Sequence, residues 1–298
     1  MELQTTLSRR VSVEGVGLHS GAPARVTLRP AEANTGVVFV RRDILDRDNV
    51  VQAHVDQVTD TRLGVTIANA AGASVAVVEH LLSALSGLGV DNAIVEISGP
   101  ETPILDGSSA AWVALIGKAG LTELSAPRRF IEILKPVDVA EGQANARLEP
   151  AAQFELDVAI SFDSAAIGVQ RARVAPTPQT FAADVGFART FGFAHEVDHL
   201  RSIGLARGGS LENAIVVDGD AVLNPEGLRA EDEFVRHKIL DAVGDLFLAG
   251  APIRGRFIGR RSGHGAHVKL LRALLDDRTA WRWTIASAPE PALAAAGL

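Results

Sequence analysis

The sequence predicts an α+β fold built from two halves of similar layout. Three observations predict it. Strand-like segments open each half, a long helical segment follows in each, and the similar tripeptides Val78-Glu79-His80 and Val235-Arg236-His237 sit early in the two main helices. A chain of 298 residues also has the length for two domains of ~150 residues each.

In the first half, Ala24–Leu28 and Gly36–Arg41 alternate or run β-branched and are separated by Gly, Pro and Asn, which reads as strands. A helix is expected from about Val77 to Ser86, with Leu81, Leu82 and Leu85 as its apolar stripe and Gly87 and Gly89 as its stop. Asn92–Ile97 reads as a strand. Ser108 or Ser109 is placed to cap a helix running to Ala119, with Gly120 past its end. Polar Thr122–Pro127 is the expected linker, dividing domain 1–125 from domain 126–298. The second half repeats the order, with strands at Arg129–Val139 and Gln153–Phe162 and a long helix from Asp232 to Leu248. Glu231, Asp232 and Glu233 suit that helix's N-terminus, where the backbone dipole favours negative charge.

Composition excludes several classes of function. With 29 Lys and Arg against 36 Asp and Glu, the net charge is −7, unsuited to wrapping a nucleic acid. Cysteine is absent, so disulfides, thiolate nucleophiles and Cys–zinc sites are excluded, and any metal falls to His and carboxylates. The segment from Met1 to Val11 lacks a secretory apolar stretch, and no apolar run approaches the ~20 residues of a membrane span. A cytoplasmic protein without membrane-spanning segments is expected.

Three constellations could carry chemistry. His237 and Asp241 are four apart on the long helix and share a face, with Asp245 one turn further on. That row fits metal ligation or acid–base work, but taken by itself it reads first as a solvated helix face. Glu79 and His80 point about 100° apart on a helix, which lets one bind a metal while the other reaches its water. A surface acid beside a packed histidine reads as well. Ser262-Gly263-His264-Gly265 is expected as a turn presenting His264 to a cleft, or as a turn histidine without a role.

Two motifs mislead. Gly15-Val16-Gly17-Leu18-His19-Ser20-Gly21 resembles a dinucleotide loop, but its last glycine is one place late and a strand follows. His195-Glu196-Val197-Asp198-His199 is a literal H-E-x-x-H, yet Ser202 and Leu205 stand where the extended zinc-protease pattern needs Gly and His. A short amphipathic helix is the expected reading.

Taken together, Val78-Glu79-His80-Leu81, Phe234-Val235-Arg236-His237-Lys238-Ile239-Leu240-Asp241 and Ser262-Gly263-His264 closely resemble the signature segments of the UDP-3-O-acyl-N-acetylglucosamine deacetylases, zinc amidases of lipid A synthesis in Gram-negative bacteria. The Gly15–Gly21, Ile104–Ser108, Ala188–Phe193 and Gly208–Ala214 segments extend the resemblance over nearly the whole chain. It implies two similar two-layer α/β sandwich domains packed together, with a small β-α-β insertion at about 193–217 in the second. It implies zinc on His80, His237 and Asp241, with iron(II) as an alternative. Glu79 is then the general base and His264 the general acid, Thr190 helps stabilise the oxyanion, Asp245 orients His264, and Lys238 supplies positive charge. The insertion would hold the substrate's acyl chain, with Ala194, Val197, Leu200, Ile203, Ala206, Leu211, Ala214 and Val216 as lining, and Phe191 and Phe162 would pack on substrate. Ser161 and His267 depart from an expected acid and an expected amide. The expected partner is the acylated UDP-N-acetylglucosamine, and the expected state a monomer. A zinc peptidase on His195 and His199, or a nucleotide-sugar binding protein without catalysis, are the alternatives.

Overall fold

The computed structural model describes residues 2–285. Its first half runs β1 (Leu3–Leu7), β2 (Val11–Val16), β3 (Pro23–Arg29), β4 (Val37–Arg41), β5 (Val50–Gln52), β6 (Val58–Asp60), β7 (Thr66–Ala68), β8 (Ser74–Val75), α1 (Glu79–Gly87), β9 (Ala93–Ile97) and α2 (Ala110–Ala119). After β10 (Leu121–Pro127) come β11 (Arg129–Ile133), β12 (Val137–Glu141), β13 (Ala144–Glu149), β14 (Phe154–Ser161) and β15 (Val169–Val174). Then follow β16 (Phe191–Phe193), α3 (Ala194–Ser202), β17 (Ile215–Asp218), β18 (Ala221–Val222), α4 (Glu233–Phe247), β19 (Ile253–Arg260), α5 (His264–Asp276) and β20 (Trp281–Ile285).

Each half is organised around a late central strand. β9 lies between antiparallel β3 and parallel β4 in a sheet of order β2-β3-β9-β4-β5. β19 lies likewise between antiparallel β13 and parallel β14, and β11 and β20 extend that sheet. Hairpin β2–β3 therefore answers to β12–β13, β4–β5 to β14–β15, α1 to α4, and α2 to α5. The strands alternate as half-covered sheets require: Val37, Phe39, Val95 and Ile97 face inward and are buried, with half-buried neighbours between them.

Helix α2 lies against β2, α5 against β12 and β13, and α4 against β14 and β15, while α1 packs on α4. Only Arg236 and Lys238 of α4 escape burial, because the helix has neighbours on nearly every side. Gly244 makes the contact with α1 possible. A Cβ there would sit 2.1 Å from the Glu79 carbonyl oxygen, so the two helices meet backbone to backbone.

Several expectations are corrected. Thr122–Pro127, where the domain boundary is expected, forms most of β10, which pairs antiparallel with β1 and ties the chain's start to the crossing point. Arg129–Val139 is two strands, β11 and β12, interrupted at Leu134-Lys135-Pro136, where proline cannot donate to a ladder. Helix α5 begins at His264, so this residue stands on the first turn of a helix instead of in a free turn. The 193–217 insertion is a β-α-β unit made of β16, α3 and β17, the two strands parallel, and it starts at Phe191. Among the described residues no helix is long and apolar enough to cross a membrane.

Candidate active site

Helix α1 opens directly on Glu79. The chain enters it through Val77, whose φ of 56° is rare for a β-branched residue. That bend sends Glu79 and His80 into the interior at once, where both are buried. Glu79 Oε2 accepts the Val65 backbone N–H at 3.0 Å, and Gly64 leaves room for the carboxylate, since a Cβ there would fall 2.6 Å from Oε1. The Ser109 hydroxyl does not cap α2 as the sequence suggests. It donates to the His80 carbonyl at 2.7 Å and braces the first turn of α1.

Across the seam, His237 and Asp241 occupy one face of α4. His237 Nε2 lies 3.3 Å and His80 Nε2 3.8 Å from Asp241 Oδ1, and the two imidazoles meet edge to face. His237 Nδ1 lies 3.1 Å from the Ala188 carbonyl, so donation there leaves the Nε2 lone pair facing Asp241. Asp241 Oδ2 accepts from Lys238 Nζ at 3.0 Å. The ligand atoms of His80, His237 and Asp241 all lie within 4.8 Å of one another.

Burial lowers the proton affinity of both imidazoles, that of His237 to about 3, against the pull of Asp241. Burial alone would push Asp241 up, but His237, Lys238, His264 and His80 hold it well below the usual carboxylate range. Two neutral imidazoles and one carboxylate form a donor set suited to a divalent cation such as zinc, and three protein ligands leave a coordination position for water.

Beside this trio stand a raised acid and a raised base. Burial pushes Glu79 up to about 7, helped by Asp245 and Asp241 and opposed by His264. His264 resists the downward push of burial and rises to about 10, because Asp245 bonds it and Glu79 and Asp241 add negative potential. His264 Nδ1 lies 2.7 Å from Asp245 Oδ2, and Nε2 lies 3.8 Å from Glu79 Oε1. One side chain therefore takes a proton near neutrality while its neighbour holds one.

A cavity of about 540 Å³ opens onto these groups. Glu79, His80, His237, Lys238, Asp241, His264, Thr190 and Phe191 line its polar end. Thr190 is fixed by its backbone: its N–H donates to the Gly107 carbonyl and its carbonyl accepts from Ile215, both at 2.8 Å. Its apolar lining comes from Ala194, Val197, Leu200, Ala206, Leu211, Ala214 and Val216, with Leu18, Leu63 and Leu223, and Arg62, Glu196, Asp198 and Arg201 stand among them. Ile203 does not line it; more than half exposed, it borders an adjoining cavity with Leu63, Leu200 and Leu205. Phe162 also lies off the cavity and packs behind Phe191, ring centroids 5.7 Å apart.

His195 and His199 are exposed on α3, and among the described residues no third ligand joins them. The peptidase reading therefore lacks a metal site. The Gly15–Gly21 segment is the end of β2 and the turn after it, in which buried Glu101 accepts from the His19 and Ser20 N–H groups at 2.8 Å each. A Cβ at Gly17 would collide with that carboxylate, which explains the glycine without a nucleotide. The sequence reading missed Leu18, Leu63 and Leu223, brought to the cavity only by tertiary folding. It also gave no role to His267, whose Nδ1 lies 2.7 Å from Asp245 Oδ2. Its i, i+3 spacing from His264 is a usable signal once the helix is known to start at 264.

Comparison with known proteins gives one answer. The family model described as UDP-3-O-acyl N-acetylglycosamine deacetylase matches residues 4–276. The chain is similar to the UDP-3-O-acyl-N-acetylglucosamine deacetylase of Phenylobacterium zucineum strain HLK1, 52% identical over 279 residues, covering 94% of this chain and 95% of that protein. It is similar also to the protein of that name from Anaeromyxobacter sp. strain Fw109-5, 47% identical over 274 residues, 92% and 89% of the two chains.

Proposed function

The chain belongs to the UDP-3-O-acyl N-acetylglycosamine deacetylase family, and from that premise we propose that it hydrolyses the N-acetyl group of UDP-3-O-acyl-N-acetylglucosamine in lipid A biosynthesis. Acetate and the free amine, UDP-3-O-acyl-glucosamine, are the products. The observation that carries the residue assignments is the meeting of Glu79 and His264, 3.8 Å apart, beside a trio able to hold a cation.

His80, His237 and Asp241 hold the ion, which we assign as zinc; iron(II) would satisfy the same donors. When bound, the ion supplies a Lewis acid that acidifies water and polarises the acetamide carbonyl. Glu79 takes a proton from the attacking water. The Thr190 hydroxyl donates to the carbonyl oxygen as charge develops there. His264 gives its Nε2 proton to the nitrogen as the carbon–nitrogen bond breaks, because an unprotonated amide nitrogen leaves poorly. Asp245 holds Nδ1 of His264, so that Nε2 is the nitrogen turned to the substrate. Lys238 sets a fixed positive charge against Asp241 and near the Phe191 ring, 5.3 Å from its centroid. The apolar end of the cavity takes the acyl chain.

Metal content and turnover of the acylated UDP-sugar, in wild type, His237→Ala and His195→Ala, test this reading. Loss of metal and turnover in His237→Ala alone is expected. Loss in His195→Ala alone would transfer the site to α3, and a wild type that binds the sugar without turnover would make the protein a binding module.

A further inference from the structure

The mechanism above uses Asp245 for one imidazole, but the structure gives it two. His264 Nδ1 and His267 Nδ1 each lie 2.7 Å from the same oxygen, Oδ2, with the rings crossed at 83°. Asp245 is wholly buried, and its other oxygen, Oδ1, has no partner. His267 is buried too. Its Nε2 lies 3.1 Å from the Ser262 hydroxyl, and its ring stands edge-on to Phe257. Gly259 makes room for that hydroxyl, since a Cβ there would fall 2.5 Å from Ser262 Oγ. A chain of polar atoms thus runs from Ser262 through His267 and Asp245 to His264.

A carboxylate held through one oxygen only can swing about its Cβ–Cγ bond, and the imidazole it orients would swing with it. A second donor on that oxygen removes this freedom. Asp245 carries one negative charge, which one imidazolium compensates. With His264 holding the acid proton, His267 fits as the neutral ring with hydrogen on Nδ1, its Nε2 lone pair accepting the Ser262 O–H. Asp245, which only accepts, requires that tautomer, and the Ser262 hydroxyl, free to donate, holds the other nitrogen of the ring in place.

We propose that His267 is a positioning residue for this reaction: locked by Ser262, it fixes Asp245 Oδ2 and so holds His264 in the orientation from which it delivers a proton. This rests on the assignment of His264 as general acid. His267 is not among the His80, His237 and Asp241 trio and does not line the cavity, and its hydrogen bond towards the site runs to Asp245.

The experiment compares His267→Phe, His267→Asn and Ser262→Ala with wild type, measuring kcat, KM and bound metal. Long-range proton–nitrogen NMR of the full chain labelled in its histidines is recorded alongside. His267→Phe keeps the ring's bulk and loses the donor. Its kcat is expected to fall by about 10–100-fold, the range for an outer-shell partner, with KM and metal unchanged. The asparagine amide restores a donor to Asp245, so His267→Asn should recover most of the loss. NMR of the wild type should find His267 neutral with hydrogen on Nδ1, and Ser262→Ala, in which the carboxylate still accepts from Nδ1, should keep that tautomer and lose less kcat than His267→Phe. Wild-type kcat in His267→Phe, equal losses in the phenylalanine and asparagine variants, or an Nε2–H tautomer in the wild type would each overturn the proposal. Should His267→Phe fail to fold, the wild-type tautomer and the kcat of His267→Asn still decide it. Failure of the broader functional reading would show separately, as absent turnover in the wild type.

Discussion

Helix α1 meets the cleft with its first turn, whereas α4 meets it with one whole face. Glu79 and His80 are consecutive and diverge from a single sharp bend at Val77. His237, Lys238, Asp241 and Asp245 climb more than two turns of a helix buried almost throughout. The same contrast holds for the helices after the central strands. The start of α2 only braces, through Ser109 on the His80 carbonyl, while the start of α5 carries His264 itself. Two halves of one layout thus divide the chemistry. On the proposed reading, the first gives a base and one ligand, and the second gives two ligands, the acid and its support. His80 comes from the first half and His237 and Asp241 from the second, so the proposed ion site depends on the α1–α4 seam.

The sharpest way to break this comparison is to remove a ligand from either side. His80→Ala and His237→Ala should each abolish tight metal binding, with more loss of activity than the about 10–100-fold that outer-shell partners cost. Retained stoichiometric metal in either variant, measured by elemental analysis, would show that the halves do not share an ion. Next come the proton carriers. Glu79→Ala and His264→Ala should lower kcat by about 10²–10⁴-fold with metal still bound. The double variant should lose less than the product of the two, because the groups act on one reaction. Full additivity would separate their roles.

The pH profile sharpens the division. The rate should rise with pH as Glu79 ionises, its carboxyl lying at about 7, and fall as His264 loses its proton, at about 10. A cation beside both groups favours the deprotonated form of each, so in the loaded enzyme both limbs move to lower pH. Because the two interact, the limbs belong to the pair. A kcat/KM profile without a descending alkaline limb would remove His264 as the acid.

Gly244→Ala tests the seam with no change of charge. Its methyl group would meet the Glu79 carbonyl, so about 1–3 kcal/mol of stability should be lost, as in overpacked cores. Activity should fall with it, since Glu79 must move. Smallest of all, Ser109→Ala removes one buried hydrogen bond to His80 and should cost about 1 kcal/mol in denaturant unfolding. No loss in that assay would mean that α1 needs no brace.

How much of this was legible in the sequence follows from what each feature depends on. Helix α4 was read almost to its ends, because a long apolar pattern with acids at its start and Gly-Ala-Pro beyond it is local information. Thr122–Pro127 looked like a linker because its strand partner is β1, more than a hundred residues away. His264 was placed in a turn because flanking glycines outweighed the helix that starts on it. The H-E-x-x-H string was a local match without the distant third ligand that gives such a motif meaning. The family resemblance names His80, His237 and Asp241; residue spacing alone leaves ligation and a solvated or packed side chain both open. His267 was noticed as a departure, and only the fold brings it onto Asp245.

Helix α3 has no buried residue, although it forms one wall of the apolar cavity. A wall so lightly anchored can rise at little cost while α1 and α4 stay closed on the ion ligands. On the proposed reading, access for an acyl chain and rigidity for proton transfer therefore fall to different parts of the molecule. In hydrogen–deuterium exchange, α3 amides should exchange through local openings long before those of α4, which open only with the whole protein.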